Sequence, residues 1–259
     1  PASRFGFAVL LCYLKNIGFA PDKKSSPPAE LLRVIGNRLK LSAELWQEYI
    51  SGRDTTRREH LGELYRYLEL KAFNGALQKE CIQHLLPLST RTDRGILIAE
   101  ELLKRLHQQR IIIPGIDVVE RTCAEAMTLG DKAVYTTLNA HLSITHKSAL
   151  DALLVTTEKQ ISRLTWLLQP PGKINGKNVL QHIDRLNAIE ALALPEGVDK
   201  TVHQNRLLKL AREGRKMSSR DLADFSPARR YATMVCVLTE ARATIIDEII
   251  ELHERILGS

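Results

Sequence analysis

Along most of the chain apolar residues recur at steps of three and four and almost nowhere alternate with polar ones, so the pattern predicts helices and not strands. Leu31, Leu32, Ile35 and Leu39 form one stripe after the polar stretch "PDKKSSPP", predicting a helix over 29–39. Ser42 is placed to cap a short helix holding Leu45, Trp46 and Tyr49. Thr56 opens the next, with Leu61, Leu64, Tyr65 and Leu68 on its apolar side and Asn74-Gly75 at its close. Further helices are predicted at 76–86, 93–109, 117–128 and 131–141, then a long one at 146–168. "QPPGKINGK", residues 169–177, reads as a linker. Helices follow at 178–192 and 200–213, the latter ending at Gly214 with Lys209 and Arg212 in its last turn, where cations suit the helix dipole. Ser226-Pro227 is a start signal, and Tyr231, Val235, Leu238, Ile245, Ile249, Leu252 and Ile256 sustain one long helix from there. The expected fold is all-α, in three helical sub-domains at 1–75, 76–168 and 169–259.

Composition changes this picture little. Aromatics are only 5% of the 259 residues, while leucine, alanine and isoleucine abound, which favours packed helices. No apolar run reaches the ~18 residues of a membrane span. The apolar opening carries Arg4 and Lys15 and lacks a small-residue cleavage site, so it does not read as a signal peptide. Cys12, Cys81, Cys123 and Cys236 lie far apart and read as reduced thiols of a cytosolic protein. A start at Pro1 and a stop at Gly258-Ser259 give the expectation of a piece from a larger protein, the final Gly-Ser being open to reading as a cloning remnant.

Charge adds a direction. The net charge is +7, and the excess sits in residues 1–75, with twelve Lys/Arg against eight Asp/Glu, and in 169–224, with ten against seven. Two mildly basic regions fit a polyanionic partner. Catalytic chemistry is hard to find. There is no glycine-rich phosphate loop, nucleophile elbow or HExxH pair, and His141 and His146 are five apart with no carboxylate at ligand spacing. Asp247, Glu248, Glu251 and Glu254 share a helix with Arg242 and Arg255 and read as its wet face.

The stretch "GRDTTRREH", residues 52–60, holds the sharpest candidate. Thr56 with Glu59 predicts a capping box, which puts Arg57 and Arg58 at the first two helical positions, beside the positive end of the helix dipole. A phosphate would reverse the sign of that conflict, meeting guanidinium groups and unpaired backbone N–H groups together. The order short helix, Ser51-Gly52, helix is that of a helix-turn-helix. Two readings stay open: a groove-facing tip, and a solvated helix start whose Arg53 and Asp54 pair on the surface. A second basic stretch, residues 209–221, gathers Lys209, Arg212, Arg215, Lys216 and Arg220 around Gly214 and two serines. It reads either as a phosphate grip or as a helix end with its usual cations. Thr145-His146-Lys147 is open in the same way.

"SRFGFAVLLCYLKNIGF", "RDTTRREHLGEL", "IPGIDVVERTCAEAM", "VHQNRLLKLAREG" and "PARRYATMVCVLTEARATIIDEIIELHERILG" resemble, in order, successive landmarks in the N-terminal part of Tn-three-family replicative transposases, DDE-type enzymes. The resemblance implies helical regions that recognise the transposon's terminal inverted repeats, followed elsewhere in the protein by an RNase-H-like domain with a metal-binding acidic triad. It implies that this chain is not itself an enzyme, that a divalent metal such as Mg belongs to the catalytic domain and no cofactor to this region, and that the long last helix leads toward that domain. Arg53, Thr56, Arg57, Arg58 and His60 match one landmark, and His203, Gln204, Asn205 and Arg206 another, the latter with a structural role left open.

The leading expectation is sequence-specific binding of double-stranded DNA, with Arg57 and Arg58 at the major groove and Arg53 and Thr55 on neighbouring phosphates. Thr56, His60 and Lys147 are further candidates, and Lys209, Arg212, Arg215, Lys216 and Arg220 form the second grip. The competing expectation is a helical scaffold for dimerisation or regulation with only non-specific DNA contact. A homodimer of the full protein, no membrane, and a bacterial cytoplasmic, nucleoid-associated location complete the expectations.

Overall fold

A computed structural model describes residues 1–22, 26–156, 161–170 and 175–257. Parts of "PDKKSSPP", of the predicted helix at 146–168 and of the 169–177 linker lie outside the described residues, as do Gly258-Ser259 and the Ile256 side chain. Among the described residues the fold is all-α, with thirteen α-helices, one 3-10 turn and no strand beyond two isolated bridges. Two compact units emerge, Pro1–Leu85 with Ile96–Ala124, and Leu86–Gly95 with Glu125–Ser259. Their boundaries do not coincide with the divisions expected after residues 75 and 168.

The first unit is built on α1 (Ala2–Asn16), whose Phe5, Val9, Leu10, Tyr13 and Leu14 are buried at helical spacing. Against it pack α2 (Ala29–Leu39), α3 (Leu45–Ser51) and α4 (Asp54–Tyr67), contributing Leu32, Ile35, Trp46, Tyr49 and Leu64 to one core. Gly6 permits the approach of α3: a Cβ there would lie 2.2 Å from the Tyr49 ring.

Several local starts differ from expectation. Ser42 does not cap α3, which begins at Leu45 behind Glu44; its hydroxyl accepts from the Glu44 N–H in the preceding turn. The Thr56 capping box does not form, because α4 begins three residues earlier, with an extended Arg53 as its uncapped N-cap and Asp54 in its first turn. An acid there suits the dipole end that Arg57 and Arg58 would have opposed. α4 ends at Tyr67, with Glu69 in the left-handed region, and Asn74 opens the next helix by accepting from the Leu77 N–H.

Beyond it run α5 (Gly75–Ser89), α6 (Gly95–Gln108) and α7 (Ile116–Ala140). The helices expected at 117–128 and 131–141 are one continuous α7. Gly130 sits inside it as a packing position: a Cβ would come within 2.5 Å of the Ser89 hydroxyl.

The second unit comprises α8 (Ile144–Leu154), α9 (Arg163–Leu167), α10 (Gly176–Glu190), a 3-10 turn (Val198–Thr201), α11 (Gln204–Arg215), α12 (Ser219–Ala223) and α13 (Pro227–Leu257). The helix expected over 146–168 is therefore two. Val155 is extended, as suits a β-branched residue, and Ser162 starts α9 afresh by accepting from the Thr165 N–H. α13 starts at Pro227 as the Ser226-Pro227 signal predicts, and its residues Ala232–Leu238 are all buried, making it the spine of this unit. α10 and α11 pack on it; Gly214 of α11 would place a Cβ 2.4 Å from Val237.

Candidate nucleic-acid interface

The start of α4 sorts its candidates into anchored and unanchored side chains. Arg57 is anchored: half-buried, it donates to the Pro21 carbonyl and lies near Tyr49 and Tyr65. Burial pushes the Tyr49 phenol up from its ordinary range, and the Arg57 charge partly offsets this. His60 is a strut as well: its Nδ1 is 3.0 Å from the Tyr49 hydroxyl, its ring stacks on Tyr49, and its edge meets Phe7 of α1. Thr56 is half-buried. Arg53, Thr55 and Arg58 are exposed, and neither arginine has a carboxylate within ion-pair distance among the described residues. The tip thus presents two arginines to solvent, but they are 53 and 58, not 57 and 58.

The second basic stretch divides in the same manner. Lys209 reaches Glu213 at 3.6 Å, one turn on, and Arg215 holds Glu240 of the spine at 2.7 Å. Arg220 lies beside Asp221, whose carboxylate accepts from the Ser218 hydroxyl and N–H in a capping box at the start of α12. These bonds hold the Asp221 carboxyl below the usual range. Arg212 and Lys216 are exposed and meet no carboxylate among the described residues. Lys147 stands 6.0 Å from the centre of the Tyr231 ring, a cation–π contact within its own unit. Arg230, nearby, binds Asp151 at 3.0 Å and the Ala223 carbonyl at 2.9 Å, which ties the start of α13 to α8.

Within the "HQNRLL" landmark, His203 and Arg206 hold the fold together, while Gln204 and Asn205 are exposed. His203 caps α11 through its ring, accepting from the Asn205 N–H, and Arg206 is buried with its guanidinium on Asp131 of α7. Burial lowers the Arg206 pKa, with the fields of Asp93 and Glu213 acting against it. A signal for this was in the spacing: Arg206 shares its stripe with the buried Leu210 and Gly214. His182 and Arg185 lie likewise on the stripe of Ile189 in α10 and went unread. His182 stands 3.1 Å from Glu248 of the spine, while Arg185 donates to the Gln169 carbonyl at 2.8 Å. The acidic residues of α13 are accordingly dispersed among partners, Glu248 toward His182 and Glu251 toward Arg255. Among the described residues no helix is long and apolar enough to cross a membrane.

Residues 1–126 match a family profile described as a domain of unknown function (DUF4158). The whole chain is similar to the transposase for transposon Tn2501 of Escherichia coli, 63% identical over 259 residues that make up 26% of that protein. The transposase for transposon Tn21 of Escherichia coli is 44% identical over all of this chain and 26% of its own length. The transposase for transposon Tn501 of Pseudomonas aeruginosa is 41% identical over 99% of this chain and 26% of its own length. The chain spans about a quarter of the length of these relatives, and with such similarity along all of it, it belongs to the Tn-three family of transposases.

Proposed function

We propose that this chain recognises the terminal inverted repeats of a transposon as double-stranded DNA, as part of a replicative transposase. The observation that carries the reading is the sorting of cations within both basic stretches. Arg57, Lys209 and Arg215 are bound to protein oxygens, whereas Arg53, Arg58, Arg212 and Lys216 stay exposed with no carboxylate within ion-pair distance among the described residues. Unmatched cations at the start of α4 and around the end of α11 suit phosphates, which such groups hold through charge-assisted bonds. α3, the Gly52-Arg53 turn and α4 keep the order of a helix-turn-helix, with the anchored Arg57 and His60 holding the start of α4 in place. Arg53, Thr55 and Arg58 supply one DNA contact in this reading, and Arg212, Lys216 and Arg220 another. Lys147, Thr56 and His60 support the protein frame. Two sites on one chain raise affinity through effective concentration.

The test is binding of the chain to a duplex ending in the inverted repeat and to a scrambled duplex, each across a range of salt. Repeat DNA is expected to bind more tightly, with log K falling by about 0.9 per log unit of salt for each phosphate neutralised. Arg53→Ala and Arg58→Ala are each expected to flatten that slope by about 0.9. Equal affinity for both duplexes would leave only charge and return the chain to the scaffold reading.

A further inference from the structure

The groove-facing element expected at α4 is a poor match for lengthwise contact, since Asp54, Glu59 and Glu63 are interleaved with its arginines. α2 offers a different surface. Its buried side, Leu32, Ile35 and Gly36, seats it on α1, where a Cβ on Gly36 would lie 2.7 Å from the Leu41 carbonyl and 3.7 Å from Phe5. The opposite side carries Glu30, Arg33, Val34, Asn37 and Arg38, all exposed, within an arc of about 140° at the helical step of ~100° per residue. Neither Arg33 nor Arg38 has a carboxylate within ion-pair distance among the described residues, and Val34 leaves 48% of its surface in water. Lys40, exposed and left-handed at the C-cap, adds a cation just past the helix end.

Each residue type on that face matches a base edge in the major groove. Arginine is bidentate to guanine O6 and N7, asparagine to adenine N6 and N7, glutamate accepts from cytosine N4, and an apolar side chain meets the thymine methyl. An ordinary solvated helix face would alternate acids with bases to form pairs along its length. Here the last two turns hold two arginines and an asparagine and no acid at all. Packing fixes the helix against α1, so the reading face is preorganised and loses little freedom on contact.

We infer that α2 is a major-groove recognition helix, in which Arg33 and Asn37 read base edges, Val34 meets a thymine methyl, and Arg38 and Lys40 flank the groove. The inference rests on the proposed DNA function and assigns base reading within it, leaving Arg53 and Arg58 to phosphates.

The test uses the whole 259-residue chain with repeat and scrambled duplexes. All substituted positions are exposed, and circular dichroism checks that each variant keeps its helices. Arg33→Ala and Asn37→Ala are each expected to weaken repeat binding by roughly 5- to 150-fold while leaving scrambled binding unchanged. Arg33→Lys keeps the charge but not the fork, and is expected to hold the salt slope while losing the preference. Single base-pair changes in the repeat locate the contact: one position should cease to matter in Arg33→Ala. Unchanged repeat binding by Arg33→Ala and Asn37→Ala overturns the assignment, as does an equal loss on both duplexes. Failure of the unmodified chain to prefer the repeat would instead overturn the DNA-end reading itself.

Discussion

Single residues decide what the basic stretches of this chain are for, because the same guanidinium either completes the protein or is left for a partner. Arg206 shows the first case. Its side chain is 1% exposed, whereas that of its partner Asp131 is 32% exposed. Removing the acid strands a buried cation; removing the cation lets the acid regain water. Asp131→Asn is therefore expected to cost about 3 kcal/mol, read from the shift of the urea midpoint, and Arg206→Met appreciably less. The reverse order would mean that Asp93 and Glu213, not Asp131, hold this charge. Arg57 shows how such a role escapes a linear reading. Thr56 and Glu59 had the spacing of a capping box, but Asp54 two residues earlier suits the first turn better. That shift carried Arg57 off the helix tip and against Pro21, a residue 36 positions away that local spacing does not reveal.

Elements were legible where apolar spacing was sustained and illegible where a contact elsewhere overruled a local signal. α13 was predicted from Pro227 onward because its stripe is unbroken, and α2 was found within its observed limits. The helices expected at 117–128 and 131–141 are one, and Gly130 within it is a clearance for Ser89, which only the packed structure discloses. The same distinction separates two glycines of the first unit. Gly6→Ala would drive a Cβ into the Tyr49 ring and is expected to lower stability by about 1–3 kcal/mol. Gly62→Ala, in the interior of α4 with nothing within 4 Å, is expected to raise it by about 0.5–1 kcal/mol. Thermal melts of the two variants should move in opposite directions. At the start of α12, Asp221 is held below its usual pKa by Ser218. A depressed carboxyl stabilises the fold above its unfolded pKa of about 3.9, and loses that contribution as pH falls through the lower folded value. Asp221→Asn should thus be less stable than the parent chain at neutral pH and converge with it in strong acid, as followed by melting temperature against pH.

At the scale of the whole molecule, the fold class was readable because nearly every segment had one period, whereas the candidate interface was only half readable. Charge counting pointed to residues 1–75 and 169–224, and exposed unmatched cations do lie in both. Counting could not separate Arg58 from Arg57, or Lys216 from Arg215, since neighbours in sequence differ only in what the folded chain brings beside them. It also passed over α2, whose arginines are ordinary in composition and distinctive only once the last two turns of their shared face are seen to hold no acid.

The burial of the spine gives this molecule a built-in clock. Cys236 sits in the middle of α13 with no exposed surface, and burial pushes its thiol up to about 12. A thiol so protonated and enclosed does not react with an alkylating reagent while the second unit is closed. Mass-spectrometric labelling at Cys236 should then advance only as fast as that unit opens, and slow further with any ligand that binds the closed form. Prompt labelling in native buffer would mean that the helices around the spine part far more readily than their packing implies.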